Sequence, residues 1–120
     1  MPSDSDWKEL ERGLGMKEIY VRDDGWRGWD HGGMLKQEGV SLWLDPNYLA
    51  SNESGFTALP AGFRDADGLF SAVGSFTGFW SSTGNDEKAW IRGLHTGRGE
   101  ILREEYPRTS GFSVRCVKSY

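Results

Sequence analysis

The last third of the chain contains the pattern that most constrains its fold. Three runs, residues 88–95, 99–106 and 111–117, alternate between two sets of side chains along their length. The connections TGRG and PRTSG supply the glycine, proline and hydroxyl residues that are typical of tight turns. Because short turns join neighbouring antiparallel strands, this pattern predicts an antiparallel meander.

A period of two divides the side chains of each predicted strand between two faces of the sheet. In the first run, one face is predicted to contain Ala89, Ile91, Gly93 and His95, and the other Trp90, Arg92 and Leu94. In the last run, one face is predicted to contain Phe112, Val114 and Cys116, and the other Ser113, Arg115 and Val117.

The N-terminal segment predicts a helix over residues 4–14. Ser3 is a candidate N-cap, and Asp6, three residues later, is the partner expected in a capping box. One face of this helix is apolar, with spacings of three and four residues between Trp7, Leu10 and Leu14. Gly15 is expected to end the helix in a left-handed conformation, and Glu9 and Glu11 are assigned to the solvated face.

The middle of the chain gives weaker signals. Residues 34–38 predict a short second helix, residues 65–68 a turn, and residues 40–44, 55–63 and 75–82 strands. Seventeen glycines with 6 Trp, 4 Tyr and 6 Phe favour short aromatic strands joined by tight turns. The expected fold class is therefore α+β, in a single domain over residues 1–120.

Composition excludes several function classes. A net charge of −4 with scattered acidic and basic residues argues against nucleic acid as a partner. No apolar run approaches the roughly 18 residues that span a bilayer, so a chain without a membrane span is expected. The first ten residues lack a basic and apolar leader, so no export signal is expected. The lone Cys116 has no partner for an internal disulfide and is expected to be buried.

No catalytic motif emerges from the sequence. His31 and His95 lie far apart and outside any metal-ligand spacing, and Ser81 and Ser82 lack the G-x-S-x-G pattern of a nucleophile elbow. Both hydroxyls are expected to bond to the backbone at a strand end. The sequence therefore predicts a protein that is not an enzyme.

Hard oxygen donors suggest one metal alternative. The segment 45–53 offers Asp45, Asn47, Asn52 and Glu53, which are ligand types that Ca²⁺ prefers, although not at the spacing of an EF-hand. Beyond this candidate calcium site, no cofactor is expected.

The segment 52–83 and the C-terminal GFSVRC strand resemble the Fibrobacter succinogenes major paralogous domain. The matching positions are Asn52, Gly55, Phe56, Leu59, Pro60, Gly62, Arg64, Gly68, Phe70, Gly74, Trp80, Ser81, Ser82, Thr83 and 111–116. The opening Pro2 to Trp7 is similar to the start of that family's first helix. The resemblance implies a C-type-lectin-like fold of the formylglycine-generating-enzyme subclass, in which two helices flank a twisted, mainly antiparallel sheet with long loops.

The resemblance also bears on chemistry. The generating enzyme uses a pair of active-site cysteines, whereas this chain has one cysteine, so that activity is not carried over. Full-length members of the family usually have further N-terminal strands and a CPxGWH segment whose cysteine can pair with the terminal one. This chain is therefore expected to be a compact or N-terminally short form of the domain.

The C-terminal pattern is also similar to the variable proteins of diversity-generating retroelements. That similarity implies a stable scaffold, here Trp80, Ala89, Gly111, Phe112 and Val114, which displays a ligand-binding surface. The candidate contact residues are Asn85, Asp86, Lys88, Trp90, Arg92, His95, Arg98, Glu100, Arg103, Glu105, Tyr106 and Arg108. Packing of Trp90 against the helices is the alternative reading of that residue.

The implied function is binding of a protein or glycan on another surface, from an extracellular, cell-surface or virus-particle location, with the oligomeric state left open. Two alternatives remain open from the sequence. One is a calcium-dependent carbohydrate-binding lectin, and the other is a bacterial surface module of fixed sequence.

Overall fold

The computed structural model, which describes residues 1–116, contains two short helices and six strands. Their bounds are α1 Asp4–Gly13, α2 Glu18–Val21, β1 Gly25–Arg27, β2 Phe63–Arg64, β3 Phe70–Ser71, β4 Phe76–Gly84, β5 Lys88–His95 and β6 Ile101–Pro107. One antiparallel sheet contains four strands in the order β1-β6-β5-β4, and a second sheet consists of β2 paired with β3. This architecture confirms the α+β class.

The N-terminal helix is confirmed almost as predicted. The Ser3 hydroxyl accepts a hydrogen bond from the Asp6 backbone N–H at 3.1 Å, and the Asp6 carboxylate accepts one from the Ser3 N–H at 2.9 Å. This reciprocal capping box satisfies two donors that the first helical turn leaves unpaired. Helix α1 ends at Gly13, and Gly15 has the left-handed φ of 94° that closes the turn after it.

Helix α1 covers one face of the large sheet. Trp7 lies against Phe79 of β4, with ring centroids 5.8 Å apart, and the same core contains Leu94 of β5 and Ile101 of β6. The remaining buried members of this core are Met16, Val21, Leu35, Trp43 and Ala58. The loops between β1 and β4 therefore supply part of the main core.

An aromatic cluster covers the opposite face of the sheet, and we define it as Phe63, Phe76, Trp80, Tyr106 and Phe112. Phe112 lies at its centre, with its ring 5.0–5.5 Å from those of Phe63, Trp80 and Tyr106. Gly78 makes this approach feasible, because a Cβ there would lie 2.5 Å from the Phe112 ring. Both faces of the sheet are thus covered. The alternation of side chains along a strand therefore shows which face a residue lies on, but it does not show whether that residue is buried or exposed.

The pairing register confirms the predicted faces of β5. Trp80 pairs with Ile91, and Gly78 pairs with Gly93, which places these residues on the aromatic side. Arg92 pairs with Arg103 on the side of α1. Strands 88–95 and 75–82 and the turn at 65–68 are confirmed within a residue or two, while the run 99–106 pairs only from Ile101.

Other sequence predictions are wrong. Residues 34–38 form turns and a bridge instead of a helix, and residues 40–44 form bends instead of a strand. Within 55–63, only isolated bridges and the start of β2 are extended. The last run makes single bridges at Gly111 and Ser113, because it packs against two separate strands, and Val117 lies outside the described residues. Cys116 is exposed instead of buried.

A buried lysine explains the irregular path around residues 34–38. The Lys36 side chain is fully buried, and its Nζ donates to the backbone carbonyls of Tyr48, His95 and Arg98, each at 3.0 Å. Burial lowers the pKa of Lys36 to about 8. One side chain therefore fastens three loops together, and these long-range contacts outweigh the local helical pattern.

No helix among residues 1–116 is long and apolar enough to cross a bilayer.

Candidate functional site

Two of the predicted ligand contacts, Arg92 and Arg103, lie in the interior. They are neighbours across β5 and β6, and only 1% and 8% of their surfaces are exposed. Arg92 Nη1 lies 2.7 Å from Asp4 Oδ1, and its Nε lies 2.9 Å from Glu11 Oε2. Arg103 Nη2 lies 2.9 Å from Asp4 Oδ2. The prediction that Arg92 faces a ligand is wrong, because α1 covers the middle of both strands, whereas Arg103, although largely buried, lines a cavity beside Trp90.

The same contacts overturn the assignment of Glu11 to a solvated face. Glu11 is fully buried and accepts a hydrogen bond from Arg27 Nη2 at 2.7 Å as well as from Arg92. We call Asp4, Glu11, Arg27, Arg92 and Arg103 the ion-pair layer. Burial opposes ionisation of Asp4, but the hydrogen bonds and charges of Arg103 and Arg92 outweigh it and lower its pKa to about 2.

A second group of predicted contacts is exposed at the β4–β5 turn. Asn85, Asp86, Lys88 and Arg108 are all exposed there. The Asn85 side-chain oxygen accepts hydrogen bonds from the backbone N–H groups of Glu87 and Lys88, both at 2.9 Å. The Arg108 backbone N–H donates to the Glu87 carbonyl at 2.9 Å. The turn is therefore held by its backbone, by the Asn85 side chain and by Arg108, whose Nε donates to the Asn85 carbonyl at 2.5 Å, while Asp86 and Lys88 are exposed.

Trp90 lies between this turn and the ion-pair layer. It is half-buried, pairs in register with Glu105, and has the Arg103 guanidinium carbon 3.8 Å from its ring centroid. A cavity of about 320 Å³ opens beside it, with Asp24 and Glu104 also in its lining. The carboxylates give the cavity a negative rim, since the Arg103 charge is paired with Asp4. Trp90 thus stacks on an arginine of the neighbouring strand, a contact that is part of neither the predicted ligand-binding role nor the alternative of packing against the helices.

These exposed and half-exposed residues form one region. We define the open end of the sheet as Asn85, Asp86, Lys88, Trp90, Glu105, Tyr106 and Arg108. Tyr106 lies on its aromatic side, where burial and then the Glu104 charge raise the pKa of its phenol. The open end thus contains seven of the twelve residues that the sequence proposed.

The remaining predicted contacts lie at the other end of β5. Arg98 stacks on Trp26, with its guanidinium carbon 4.7 Å from the ring centroid, and Nη1 of Arg98 lies 3.3 Å from Glu100. His95 meets the edge of Trp26 at 6.5 Å, and burial, with the charges of Lys36 and Arg98, lowers its pKa. Seven residues of extended strand, about 23 Å, separate this group from Lys88. The structure therefore divides the proposed face in two.

The candidate calcium ligands are largely engaged elsewhere. The Asn47 side chain is buried and donates to two backbone carbonyls at 2.7 and 2.9 Å. Asn52 forms two hydrogen bonds with Thr57, both at 2.8 Å, while Asp45 and Glu53 are exposed. Within residues 1–116, no group of three or more His, Cys, Asp or Glu side chains is arranged to hold a metal. Calcium binding stays a prediction, and a melting temperature that does not rise with Ca²⁺ would contradict it.

Of the two serines near the end of β4, only Ser81 has, within residues 1–116, the hydrogen bonds from its hydroxyl to the backbone that we predict for both. Its hydroxyl is buried, donates to the Thr83 carbonyl and accepts from the Thr83 N–H, both at 3.3 Å. Ser82 is exposed, and its backbone N–H donates to the Pro2 carbonyl at 2.8 Å. The Trp80 ring is half-buried in the aromatic cluster instead of the main core.

Sequence reasoning missed an apolar loop surface, which we define as Leu42, Leu44 and Val73. Their exposed fractions are 53%, 56% and 73%. The Leu44 N–H donates to the Gly74 carbonyl at 2.8 Å, which holds the two loops side by side. The sequence signal for this surface was the largely apolar run Val-Ser-Leu-Trp-Leu at residues 40–44. In the structure, only Trp43 of this run is buried.

Comparison with known proteins bears on the whole chain. A family model described as the Fibrobacter succinogenes major domain matches residues 1–118. Searches of the curated proteins and of the solved structures found no match to this chain. Since the match covers nearly all of the sequence, the chain belongs to the Fibrobacter succinogenes major domain family.

Proposed function

We propose that this chain is a non-enzymatic ligand-binding module with a C-type-lectin-like fold, and that the open end of the sheet is its binding face. One observation supports this most: seven sequence-predicted contact residues lie at one end of the sheet, and two of them, Trp90 and Glu105, line a cavity of about 320 Å³. Trp90, Tyr106 and Arg108 are residue types that dominate binding energy at protein interfaces. The cavity beside Trp90 offers a ligand both shape and an anchoring group.

The separation between scaffold and surface supports a display role. Strands β5 and β6 are fixed on one side by the ion-pair layer and on the other by the aromatic cluster. Trp90 stacks on Arg103 and Tyr106 belongs to the aromatic cluster, but the other five positions of the open end take part in neither layer. Substitutions there are therefore expected to change the ligand without changing the fold, as a diversified binding protein requires.

The proposed ligand is a protein or glycan on another surface, and the proposed location of the module is extracellular. These two proposals rest on the resemblance to retroelement variable proteins. The test is the sequence of this gene in many individuals of one population. We expect substitutions to concentrate at Lys88, Trp90 and Arg108 and to spare Arg92 and Arg103. Sparse and uniform substitutions would contradict diversification.

A fixed-sequence surface module is the second candidate, favoured by the apolar loop surface. Exposed apolar residues that lie side by side commonly mark a contact with another protein. Once a binding partner is identified, Leu44→Asp and Trp90→Ala separate the two candidates. Loss of partner binding with Leu44→Asp alone supports the fixed module, whereas loss with Trp90→Ala alone supports the open end.

A further inference from the structure

We propose a second binding site, between helix α1 and the pair Arg115 and Cys116, for an apolar molecule with one carboxylate group. The cavity there has a volume of about 440 Å³, which lies within the usual range for small-molecule sites. It shares no lining residue with the cavity beside Trp90. The two sites can therefore be confirmed or excluded independently.

The walls of this cavity are apolar. Its lining includes four apolar residues, Pro2, Trp7, Leu10 and Phe56. The rings of Trp7 and Phe56 are 5.8 Å apart and tilted by 49°, and Phe56 also meets Phe79 edge-on at 5.4 Å. Packing on the core fixes these rings, so the cavity is formed before a ligand arrives. An aromatic or branched aliphatic group suits such walls.

Arg115 places a fixed positive charge in the lining. Its guanidinium carbon lies 4.0 Å from the Phe56 ring centroid, and Nη1 and Nη2 both donate to the Phe56 carbonyl. A guanidinium has five N–H donors, so this arrangement leaves donors for a ligand. No carboxylate within residues 1–116 pairs with Arg115. A held, half-buried guanidinium is well suited to bind a carboxylate.

Trp7 adds a second unsatisfied donor. The residue is 97% buried, and its Nε1–H has no acceptor among the residues that the structure describes. Buried donors in proteins are nearly always paired, so an unpaired indole in the lining of a cavity is consistent with an acceptor supplied by a ligand. A carboxylate is a suitable acceptor for the Trp7 indole and for the Arg115 guanidinium, which line the same cavity.

One feature of the lining opposes an anion. Asp6 is exposed at the rim, where its carboxylate accepts the Ser3 backbone N–H at 2.9 Å. Removing this charge is expected to tighten binding of a carboxylate about two- to threefold, because the repulsion is screened at the surface. Asp6→Asn retains a side-chain oxygen for the capping box, so it tests charge with little effect on α1.

The experiment is a titration followed by NMR of the ¹⁵N-labelled tryptophan indoles, with the Trp7 signal assigned through Trp7→Phe. The probes are 3-phenylpropionate, its neutral amide, and N-acetyl-glycyl-phenylalanine. We expect both acids to shift the Trp7 Nε1–H signal and the amide to bind at least about tenfold more weakly. Equal binding of both acids identifies a shared apolar carboxylate, whereas binding of the peptide acid alone identifies a peptide C-terminus.

Two variants make the test specific. Arg115→Gln is expected to weaken binding of 3-phenylpropionate at least about tenfold. Arg22→Gln makes the same charge change on an exposed residue outside the lining and is expected to bind like the unaltered protein. The proposal is overturned if acid and amide bind equally or if the two variants bind alike. It is also overturned if the Trp7 signal does not move, or if binding requires removal of residues 117–120.

Discussion

Strands β5 and β6 use the same kinds of charged residue for opposite purposes in their middle and at their end. In the middle, Arg92 and Arg103 are buried under α1 and paired with carboxylates. At the open end, Lys88 and Arg108 are exposed and form no ion pair with any residue from 1 to 116. The helix above the sheet, and not the residue type, therefore decides which charges support the fold.

The energetics of the two regions differ for the same reason. A buried charge that loses its partner stays in a medium of low polarity, so breaking one pair is strongly destabilising. A charge on the surface is solvated and screened, so its loss costs little. Four substitutions test this difference, and they follow in order of expected effect.

The largest effect is expected for Glu11→Gln. This change leaves Arg27 and Arg92 without the carboxylate that both contact. We expect the free energy of unfolding to fall by about 3–5 kcal/mol, measured by urea denaturation. The control Glu9→Gln, on an exposed position of the same helix, is expected to change it by less than about 0.5 kcal/mol. Equal effects of the two changes would refute the buried role of Glu11.

Lys36→Met is expected to cost about 3 kcal/mol, because three backbone carbonyls lose their donor. The pKa of Lys36 is lowered from 10.5 to about 8, so between these values only the unfolded chain holds the proton. Stability that depends on Lys36 should therefore rise from pH 8 to pH 10.5. The measurement is the free energy of unfolding in urea, for the unaltered protein and for Lys36→Met, across this pH range. The difference between the two proteins should grow as the pH rises. A constant difference would contradict the lowered pKa.

Asp4→Asn is expected to cost about 1.5–3 kcal/mol at pH 7, because two arginines lose a charged acceptor. The pKa of Asp4 is lowered from 3.8 to about 2, so its contribution is complete above pH 4 and is lost as the pH falls through 2. The difference in free energy of unfolding between the unaltered protein and Asp4→Asn should therefore narrow from pH 4 to pH 2, as measured by acid denaturation. A difference that stays constant to pH 2 argues against the ion pairs.

The smallest effect is expected for Lys88→Glu. Lys88 is exposed at the open end, and no carboxylate of the described chain pairs with it. Reversing its charge should change the free energy of unfolding by less than about 0.5 kcal/mol, as measured in urea. A loss above 1.5 kcal/mol would show that the open end supports the fold.

Local signals in the sequence were sufficient for the elements that satisfy their own hydrogen bonds. The capping box at Ser3 and Asp6 located α1, and the alternation in 88–95 located β5. Residues 34–38 and 111–116 were misassigned because distant partners determine their conformation. Lys36 bonds to carbonyls from two other loops, and the last segment bridges Arg64 and Phe79.

Only part of the candidate site could be predicted from the sequence, for a related reason. Alternation assigned Trp90 and Arg92 to one face correctly, but it could not show that α1 covers only Arg92. A signal for the covered part was present in α1 itself. Asp4, Trp7 and Glu11 follow the helical spacing of three and four residues, so both carboxylates lie on the apolar face. Acidic residues on such a face require buried cationic partners.

Two matched libraries test most directly whether the open end is independent of the fold. One varies Lys88, Glu105 and Arg108, and the other varies Glu11, Arg92 and Arg103, so each replaces one carboxylate and two cations. The measurement is the fraction of members that resist proteolysis. We expect most members of the first library to stay folded and most members of the second to unfold. Equal folded fractions in the two libraries would contradict this expectation.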